Sequence, residues 1–309
     1  WLKDNRLCVA ADKSKLLILG TNQLKISKEV SELRIEVDGE IIEETPSEKL
    51  LGVVLNNDLT WKKHLYGDQE NEGLITQLSK RIGVMRKLSK YMNKDKLKFF
   101  ASGIFYSKLS YCLPVFGNVF GLNKYKEENT RYFSYTKEDN NRLQILQNKL
   151  NRLLLQADPR TPTSQLLEDT GSLSVQQMIA HQTVMMAYKM INAKKPDYLA
   201  RKLRIMESGR DMRKTPGMII PPAYSLGICR EGFLYRAATI LNMMDENLRR
   251  EPNLEKFKTG AKNWVKEHIL IKPLPSQIFR DNIQVDSNHV EPIAAEPNLL
   301  TPCDALVSS

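Results

Sequence analysis

The chain has 309 residues, 41% of them hydrophobic, and a formal net charge of +10 at pH 7. This amount of apolar material supports one large core or two ordinary ones, and it excludes a largely disordered chain. No run of 18 or more apolar residues occurs, so a membrane-spanning helix is not expected. The chain begins at Trp1 without a charged-then-apolar leader, which we interpret as the truncation of a longer protein.

The positive charge is concentrated before Arg280. Five acids and no Lys or Arg follow that residue; because these acids subtract five charges from the total of +10, residues 1–280 carry +15. Such a basic body is typical of proteins that bind a polyanion or a membrane surface, although a well-solvated surface can have the same composition. The four cysteines and four histidines lack metal-ligand spacing, which predicts reduced thiols in an intracellular protein, nuclear or cytoplasmic.

Residues 1–65 have the pattern of a β-rich region. An apolar run at 16–19 is closed by a glycine. The dipeptide Asp38-Gly39 between alternating apolar residues predicts a two-residue hairpin turn, because both turn positions need positive φ. The apolar run 50–55 predicts a further strand.

From about residue 70 the apolar residues recur every three or four positions, which predicts helices. Four predicted helices have a recognisable start signal: Asn93 caps residues 94–111, Asp139 caps the next helix, Thr161-Pro162 opens another, and the capping box Ser174 to Gln177 opens residues 175–192. Three more helices are predicted from the apolar period alone, over residues 70–92, 230–250 and 253–269. The polar, tyrosine-rich residues 118–138 predict an exposed inserted loop. These patterns predict an α+β fold that is mainly α.

Four regions are expected along the chain. They are a β region (1–68), a helical region with the inserted loop (69–160), a second helical region (161–272) and a disordered, proline-rich, acidic tail (273–309).

The residue patterns that catalysis usually requires are missing. The sequence contains no Gly-rich phosphate loop, no nucleophile elbow and no histidine pair for a metal. A two-metal polymerase needs neighbouring aspartates to hold cations about 4 Å apart, and no two aspartates are adjacent here. The nearest pair, Glu138-Asp139, fits a helix start better. We therefore expect no catalytic or metal-ligating residue and no DNA synthesis by the isolated chain.

Basic residues are concentrated between positions 74 and 98, where eight cations accompany one acid, Asp95. Most of them lie on a predicted helix whose other face is apolar, so that the helix can dock on a core and present cations to phosphates. Arg81 is placed so that it can lie against a neighbouring helix instead. Two other interpretations stay open: a solvated helix face, and a membrane-surface helix, whose apolar face would here lack Trp and Phe until Phe99.

Two stretches near the start resemble the reverse transcriptases of non-LTR (LINE-type, jockey-like) retrotransposons. Trp1, Asn5 and Leu7, followed by residues 12–20, resemble the pattern W-x-x-x-N-x-L-x-x-N-x-x-K-T, which in that family closely follows the catalytic Asp-Asp strand. Residues 49–64 resemble y-L-G-v-x-i-D-x-x-L-x-W-x-x-H, the hairpin that grips the primer end and leads into the thumb.

Three later stretches resemble the same family in the same order. Residues 109–117 resemble Y-g-x-x-v-W-G, residues 143–152 resemble L-Q-N-k-x-x-R, and residues 232–258 resemble the family's s-F-x-x-x-A-x-x-x-W-N…F-K ending. The family's tryptophans are replaced by Phe116 and Leu241, which suggests a divergent or decayed copy.

The resemblance implies the nucleic-acid-binding C-terminal fragment of an RNA-directed DNA polymerase. Region 1–68 would be the end of the palm with the primer grip, 69–160 the thumb, and 161–272 a C-terminal domain. The catalytic palm with its Mg²⁺ would precede Trp1, so no cofactor is expected in this fragment. The implied partners are an RNA or DNA template–primer duplex and the missing palm and fingers, with no membrane. A stand-alone, non-enzymatic RNA- or DNA-binding protein derived from such an element is the alternative, and a solvated helical scaffold is a third interpretation.

Seven residues are predicted to bind nucleic acid. The resemblance assigns Lys13 to the nucleic-acid backbone. Gly52 either allows a backbone to approach closely or forms a strand bulge. The set is Lys13, Gly52, Lys80, Arg81, Arg86, Lys87 and Lys90. Trp61 is predicted to lie in the core, with a base-stacking surface as the alternative, and His64 is predicted to lie in the core as well.

Overall fold

The computed structural model describes residues 4–6, 8–20, 33–37, 39–121, 135–206, 217–222 and 232–269. Most of these residues lie in helices, and the strands among them form three antiparallel pairs. The predicted α+β, mainly α fold is therefore confirmed. The predicted tail, 273–309, lies outside the described residues.

The predicted Asp38-Gly39 hairpin is confirmed by the strands on either side of it. Strand β1 (Glu36–Val37) pairs antiparallel with β2 (Glu40–Ile41), and Gly39 between them has φ +87°. Asp38 itself lies outside the described residues. The apolar run 16–19 contributes a single bridge, from Leu16 to Glu44, instead of a paired strand.

The prediction of one strand over 50–55 is wrong, because a turn divides it. Strand β3 (Ser47–Leu50) runs antiparallel to β4 (Val53–Asn56). Leu51 and Gly52 between them have φ values of +47° and +83°, the conformation that a tight two-residue hairpin turn requires. The turn was missed because its first position holds leucine, where Asn, Asp or Gly is usual.

Helices follow the two hairpins. Their bounds are α1 (Lys62–Tyr66), α2 (Leu74–Leu88), α3 (Lys94–Ala101), α4 (Ser107–Ser110), α5 (Leu113–Phe116), α6 (Lys137–Leu155), α7 (Thr163–Thr170), α8 (Val175–Ala193), α9 (Asp197–Ala200), α10 (Phe233–Met243), α11 (Glu246–Arg249) and α12 (Leu254–His268). A π-helical segment, Ser102–Tyr106, joins α3 to α4. Strands β5 (Arg204–Ile205) and β6 (Ile219–Ile220) pair between α9 and α10.

Local capping signals predicted two helix starts correctly. The Asn93 side chain accepts a hydrogen bond from the Lys96 N–H at the start of α3. Ser174 and Gln177 form the predicted capping box at the start of α8, each side chain bonding to the other's backbone N–H.

Two other starts differ from the prediction by a few residues. The cap of α6 is Thr136, and Asp139 is the third helical residue, whose carboxylate bonds back to the Thr136 N–H in a capping box. Helix α7 begins at Thr163, so Pro162 occupies the cap position itself and Thr161 precedes it. A carboxylate in the first turn stabilises the positive N-terminal end of a helix as a capping side chain does. The sequence therefore did not show whether Asp139 is the cap of α6 or a residue of its first turn.

One hydrophobic core continues from β4 to the residue that follows α12. Helix α6 contacts α2 and α7, whereas α8 contacts α10 and α12. Tyr188 of α8 stacks on Phe257 of α12 with ring centroids 4.0 Å apart. Buried residues of the three predicted regions thus share one core, and the boundaries between those regions stay predictions.

The prediction that residues 118–138 form an exposed loop is wrong at both ends of this range. Asn118 and Val119 are buried, and Tyr135 is 1% exposed. The Tyr135 ring lies parallel to that of Phe120, with centroids 6.2 Å apart, because these aromatic residues extend the core beyond α5. Residues 122–134 lie outside the described residues.

Candidate nucleic-acid interface

Helix α2 is amphipathic, and its two faces have different environments. Because an α-helix repeats every 3.6 residues, side chains three or four positions apart share a face. The buried face, which belongs to the core between α2 and α6, consists of Leu74, Leu78, Ile82 and Met85. The rest of the helix surface exposes Lys80, Arg86 and Lys87 to solvent, and Lys90 is exposed in the turn that follows.

Two of the predicted binding residues are engaged within the protein. The Lys80 ammonium lies 2.6 Å from a Glu72 carboxylate oxygen, and an exposed pair of this kind contributes little to stability. The Arg81 guanidinium donates a hydrogen bond to the Ile104 carbonyl in the π-helical segment. Arg81 therefore lies against a neighbouring helical segment, the alternative that the sequence left open, and its contact with nucleic acid stays a prediction.

Six exposed cations form what we call the basic surface. They are Arg86, Lys87, Lys90, Lys94, Lys96 and Lys98, and they lie on α2, on the turn after it and on α3. Among the described residues, no carboxylate lies within 4.0 Å of any of them. The N-terminus of α3 adds its partial positive charge beside Lys94 and Lys96. Asp95 is the one acid in the sequence between Arg86 and Lys98, so the surface keeps a net positive charge, which attracts anions.

Gly52 lies in the turn of the β3–β4 hairpin and not in a bulge. Its positive φ is the feature that requires glycine, since an added Cβ would be in ordinary contact, 3.7 Å from Tyr111 Cε1. The Tyr111 hydroxyl donates to the Leu51 carbonyl at 2.7 Å and so holds the turn against the end of α4. The interpretation of Gly52 as a bulge is wrong, and its contact with nucleic acid stays a prediction.

A second set of positive charges is brought together by tertiary packing, and we call it the hairpin cation group. Its members are Lys49 on β3, Arg81 on α2 and Lys108 on α4. The bond from Arg81 to Ile104 places that guanidinium one helical turn before Lys108. The contact of Tyr111 with the hairpin turn places Lys108 near the strand that carries Lys49.

The charges of this group affect the pKa of one member, Lys108, and of a neighbouring histidine, His64. Burial, followed by the charges of Arg81 and Lys49, lowers the pKa of Lys108. Burial, followed by the charges of Lys108 and Lys49, lowers the pKa of His64 to about 4. In the part of the chain that the structure describes, no carboxylate lies within 4.0 Å of the three cations. The hairpin cation group is therefore a local excess of positive charge.

Sequence reasoning missed Lys49 and Lys108. Each is a single lysine on a short element, and no periodic pattern connects it with Arg81 on α2. The available signal was the position of Lys49 beside the resembled primer-grip motif. The position of Lys108 beside the hairpin follows only from the packing of α4.

Lys13, Trp61 and His64 are the remaining residues for which the sequence predicted a role or a position. Lys13 is exposed at the end of a 3₁₀ turn, Ala11–Lys13, and its contact with nucleic acid stays a prediction. Trp61 and His64 are buried as predicted, and the His64 ring packs edge-on against Phe116, with centroids 4.9 Å apart.

Among the residues that the structure describes, no three His, Cys, Asp or Glu side chains are grouped so that they could hold a metal ion. Within the same ranges, every helix lacks the length or the apolar character needed to cross a bilayer. No family model, curated protein or solved structure matches the chain.

Proposed function

We propose that this chain binds nucleic acid through phosphate contacts, as the C-terminal part of a non-LTR retrotransposon reverse transcriptase. The observation that carries the proposal is the basic surface, six cations on two consecutive helices and the turn between them, with the apolar faces of both helices fixed in the core. The hairpin cation group supports it, because it adds three more positive charges beside the strand pair that resembles a primer grip.

A merely solvated helix face explains the basic surface less well. Like charges four residues apart on a helix, such as Lys94 and Lys98, destabilise it by about 0.2–0.5 kcal/mol per pair. Solvated faces commonly offset such repulsion with interleaved acids, as Glu138 and Arg142 do on α6, where their charged atoms are 2.9 Å apart. On the basic surface Asp95 is the single acid in the sequence between Lys80 and Lys98. A bound polyanion would supply the missing counter-charges.

A membrane surface is a poorer ligand for the same helices. A helix that lies in a bilayer interface inserts a continuous apolar face beneath its cations. The apolar face of α2 is buried in the protein core, as are Leu97 and Ala101 of α3. Besides Val84, Phe99 and Phe100, these two helices expose no large apolar side chain to lipid.

The order of elements favours a template–primer duplex as the ligand. The β3–β4 hairpin precedes the cationic helices, which is the order of primer grip and thumb in the family that the sequence resembles. The chemistry would reside in the palm and fingers that precede this region, with their Mg²⁺, and the present chain would contribute binding. An intracellular location, nuclear or cytoplasmic, is part of the same proposal.

The test is charge reversal on the basic surface. We expect Arg86→Glu, Lys87→Glu and Lys90→Glu together to weaken binding of an RNA–DNA hybrid, measured by fluorescence anisotropy at several salt concentrations. Each lost phosphate contact flattens the plot of log affinity against log salt by about 0.9, so the slope should fall by a unit or more. The buried face of α2 is unchanged, so the circular dichroism spectrum should be retained.

A matched control reverses three exposed lysines on α12. Lys256→Glu, Lys262→Glu and Lys266→Glu change the net charge by the same amount on a different helix. The control triple should retain most of the affinity and the salt slope. Equal losses in the two triples would mean that net charge and not this surface governs binding. Unchanged binding in a folded basic-surface triple would contradict the proposal.

A further inference from the structure

Two large aromatic side chains project from the basic surface. Tyr91, in the turn after α2, is 86% exposed, and Phe99 on α3 is 78% exposed. Single exposed aromatics are common on soluble proteins and carry no meaning alone. Tyr198, for example, is 67% exposed beside the paired charges of Asp197 and Arg201. What distinguishes Tyr91 and Phe99 is their position among the six cations of the basic surface, which outnumber its one acid, Asp95.

Tyr91 lies in the turn after α2, where the backbone still follows a helical path. Its N–H bonds to the Leu88 carbonyl at 2.9 Å, and the next N–H, from Met92, bonds to the same carbonyl at 3.1 Å. The chain therefore continues through a helical turn here, and Tyr91 follows Lys87 by four residues, the spacing of side chains on one face. Lys90 immediately precedes it. The Tyr91 ring therefore has the lysines Lys87 and Lys90 at neighbouring positions of the turn.

Phe99 lies on the outer side of α3. Leu97 and Ala101, on its inner side, are buried in the core. Lys96 precedes Phe99 by three residues, and Lys98 is its neighbour; both are exposed. Asp95, four residues before Phe99, shares this outer side, so the second ring is bordered by two lysines and one carboxylate.

Both rings have a face that other rings leave uncovered. Phe99 meets Phe100 edge to face, at 6.5 Å between centroids and an interplanar angle of 81°. Within the described residues, no ring is stacked parallel on Phe99, and none contacts Tyr91. By contrast, the ring of Trp264 is covered by His268 at 4.5 Å.

We propose that Tyr91 and Phe99 stack on the bases of an unpaired RNA or DNA strand whose phosphates are held by the surrounding lysines. The inference rests on the proposed function and names unpaired nucleotides as the ligand of this part of the surface. Proteins that hold single strands combine a cationic track with aromatic platforms, because every base has a flat face. Bases inside a duplex are already stacked on their neighbours and gain little from such rings.

The experiment compares strands of equal charge with and without bases. Binding of an oligo-dT strand, an oligo-U strand, an abasic strand of the same length and a DNA duplex is measured by anisotropy. The variant is Tyr91→Ala with Phe99→Ala, and Tyr198→Ala is the matched control. The double variant should bind oligo-dT and oligo-U about tenfold more weakly or worse. Its affinity for the abasic strand and the duplex should stay within about twofold, and the control should match the parent throughout.

Several outcomes would overturn the stacking role. Unchanged affinity for both base-bearing strands would eliminate it, and equal losses for base-bearing and abasic strands would reduce the rings to supports for the lysines. A loss for oligo-U alone or for oligo-dT alone would instead support stacking and restrict the site to RNA or to DNA, respectively. In a parallel co-sedimentation assay with phosphatidylserine vesicles, a selective loss of vesicle binding with strands unaffected would overturn the stacking role and assign the rings to a membrane. If the charge-reversal triple loses the duplex while the ring variant loses nothing, the proposed function stands and this inference fails.

Discussion

The hydroxyl of Tyr66 donates a hydrogen bond to Oδ1 of Asp139 across 2.6 Å, and this contact ties α1 to the first turn of α6. Oδ2 of the same carboxylate accepts from the N–H and the hydroxyl of Thr136, both at 2.8 Å. One buried carboxylate therefore closes the capping box of α6 and anchors the segment that follows the β3–β4 hairpin. Burial, followed by the bond to Asp139, raises the pKa of Tyr66.

Replacing Tyr66 by Phe tests the strength of this link. The change removes the hydroxyl and keeps the ring, over which the Arg142 guanidinium lies at 5.5 Å. We expect the free energy of unfolding to fall by about 1–2 kcal/mol, because a bond to a charged acceptor is lost and the Asp139 oxygen loses its partner. Urea denaturation measures the change. Tyr198→Phe, at an exposed site, should stay within about 0.5 kcal/mol of the parent, and the same result for Tyr66→Phe would contradict the prediction.

Replacement by alanine should change the stability of the protein in opposite directions at two glycines, Gly52 and Gly83. Gly52→Ala places a Cβ at φ +83°, a conformation that costs an L-residue about 1–2 kcal/mol, so it should destabilise the protein. Gly83 lies within α2, and an added Cβ there meets nothing within 4 Å. Gly83→Ala should therefore stabilise the protein by about 0.5–1 kcal/mol. Thermal unfolding of the two variants checks the signs, and destabilisation by both would show that one of these backbone assignments is incorrect.

The features predicted correctly from the sequence are those encoded locally. The hairpin at Gly39 and the capping box of Ser174 and Gln177 each depend on residues within four positions of one another. Their chemistry is almost independent of the rest of the fold. The period of the apolar residues likewise predicted the buried face of α2, since a face is fixed once the helix forms.

The features that were missed depend on packing between distant segments. The turn at Leu51 lacks the usual turn residue and is held by Tyr111, which follows it by 60 positions. Tyr135 follows a polar stretch but is buried against Phe120. The hairpin cation group could not be predicted for the same reason: Lys108 has no sequence neighbour that marks it as part of a site. Electrostatic sites assembled across elements are visible only once the elements are placed.

Burial of His64 makes stability depend on pH. Its pKa is lowered to about 4, whereas in an unfolded chain it would be near 6.5. Between pH 6.5 and 4 the unfolded state therefore binds a proton that the folded state does not, so the contribution of His64 to stability is present above about pH 6.5 and is lost as the pH falls through this window. Linkage gives a loss of about 2–3 kcal/mol.

Comparison with a non-titrating variant isolates this contribution. The free energy of unfolding of the parent should fall by about 2–3 kcal/mol more than that of His64→Gln between pH 7 and pH 4, because other titrating groups act equally in both. Urea denaturation at four pH values measures the difference. Parallel pH profiles would mean that His64 is protonated in the folded protein without penalty, in conflict with its burial and with the N–H of Val54, which lies 3.5 Å from its Nδ1.

Lys108 connects the pKa of His64 with the proposed binding of phosphate. Lys108→Met removes a charge that lowers the pKa of His64 and keeps most of the side-chain stem. The pKa of His64 should therefore rise, while staying below 6.5 because burial is the larger cause. Titration of the histidine ring proton signals by NMR, assigned with the His64→Gln variant, measures the rise. The affinity for the RNA–DNA hybrid should fall several-fold, with a salt slope reduced by up to about 0.9. Lys256→Met, on α12, should change neither quantity.

Binding of nucleic acid should raise the pKa of His64, as removal of the Lys108 charge does. If a phosphate is held by the hairpin cation group, its negative charge offsets Lys108 and Lys49, and the pKa of His64 in the complex should rise above that of the free protein. Binding should then be accompanied by proton uptake near pH 4–5, which calorimetry in buffers of different ionisation enthalpy can measure. A complex in which the pKa of His64 is unchanged, although Lys108→Met raises it, would show that phosphates do not approach the hairpin, and would confine binding to the basic surface of α2 and α3.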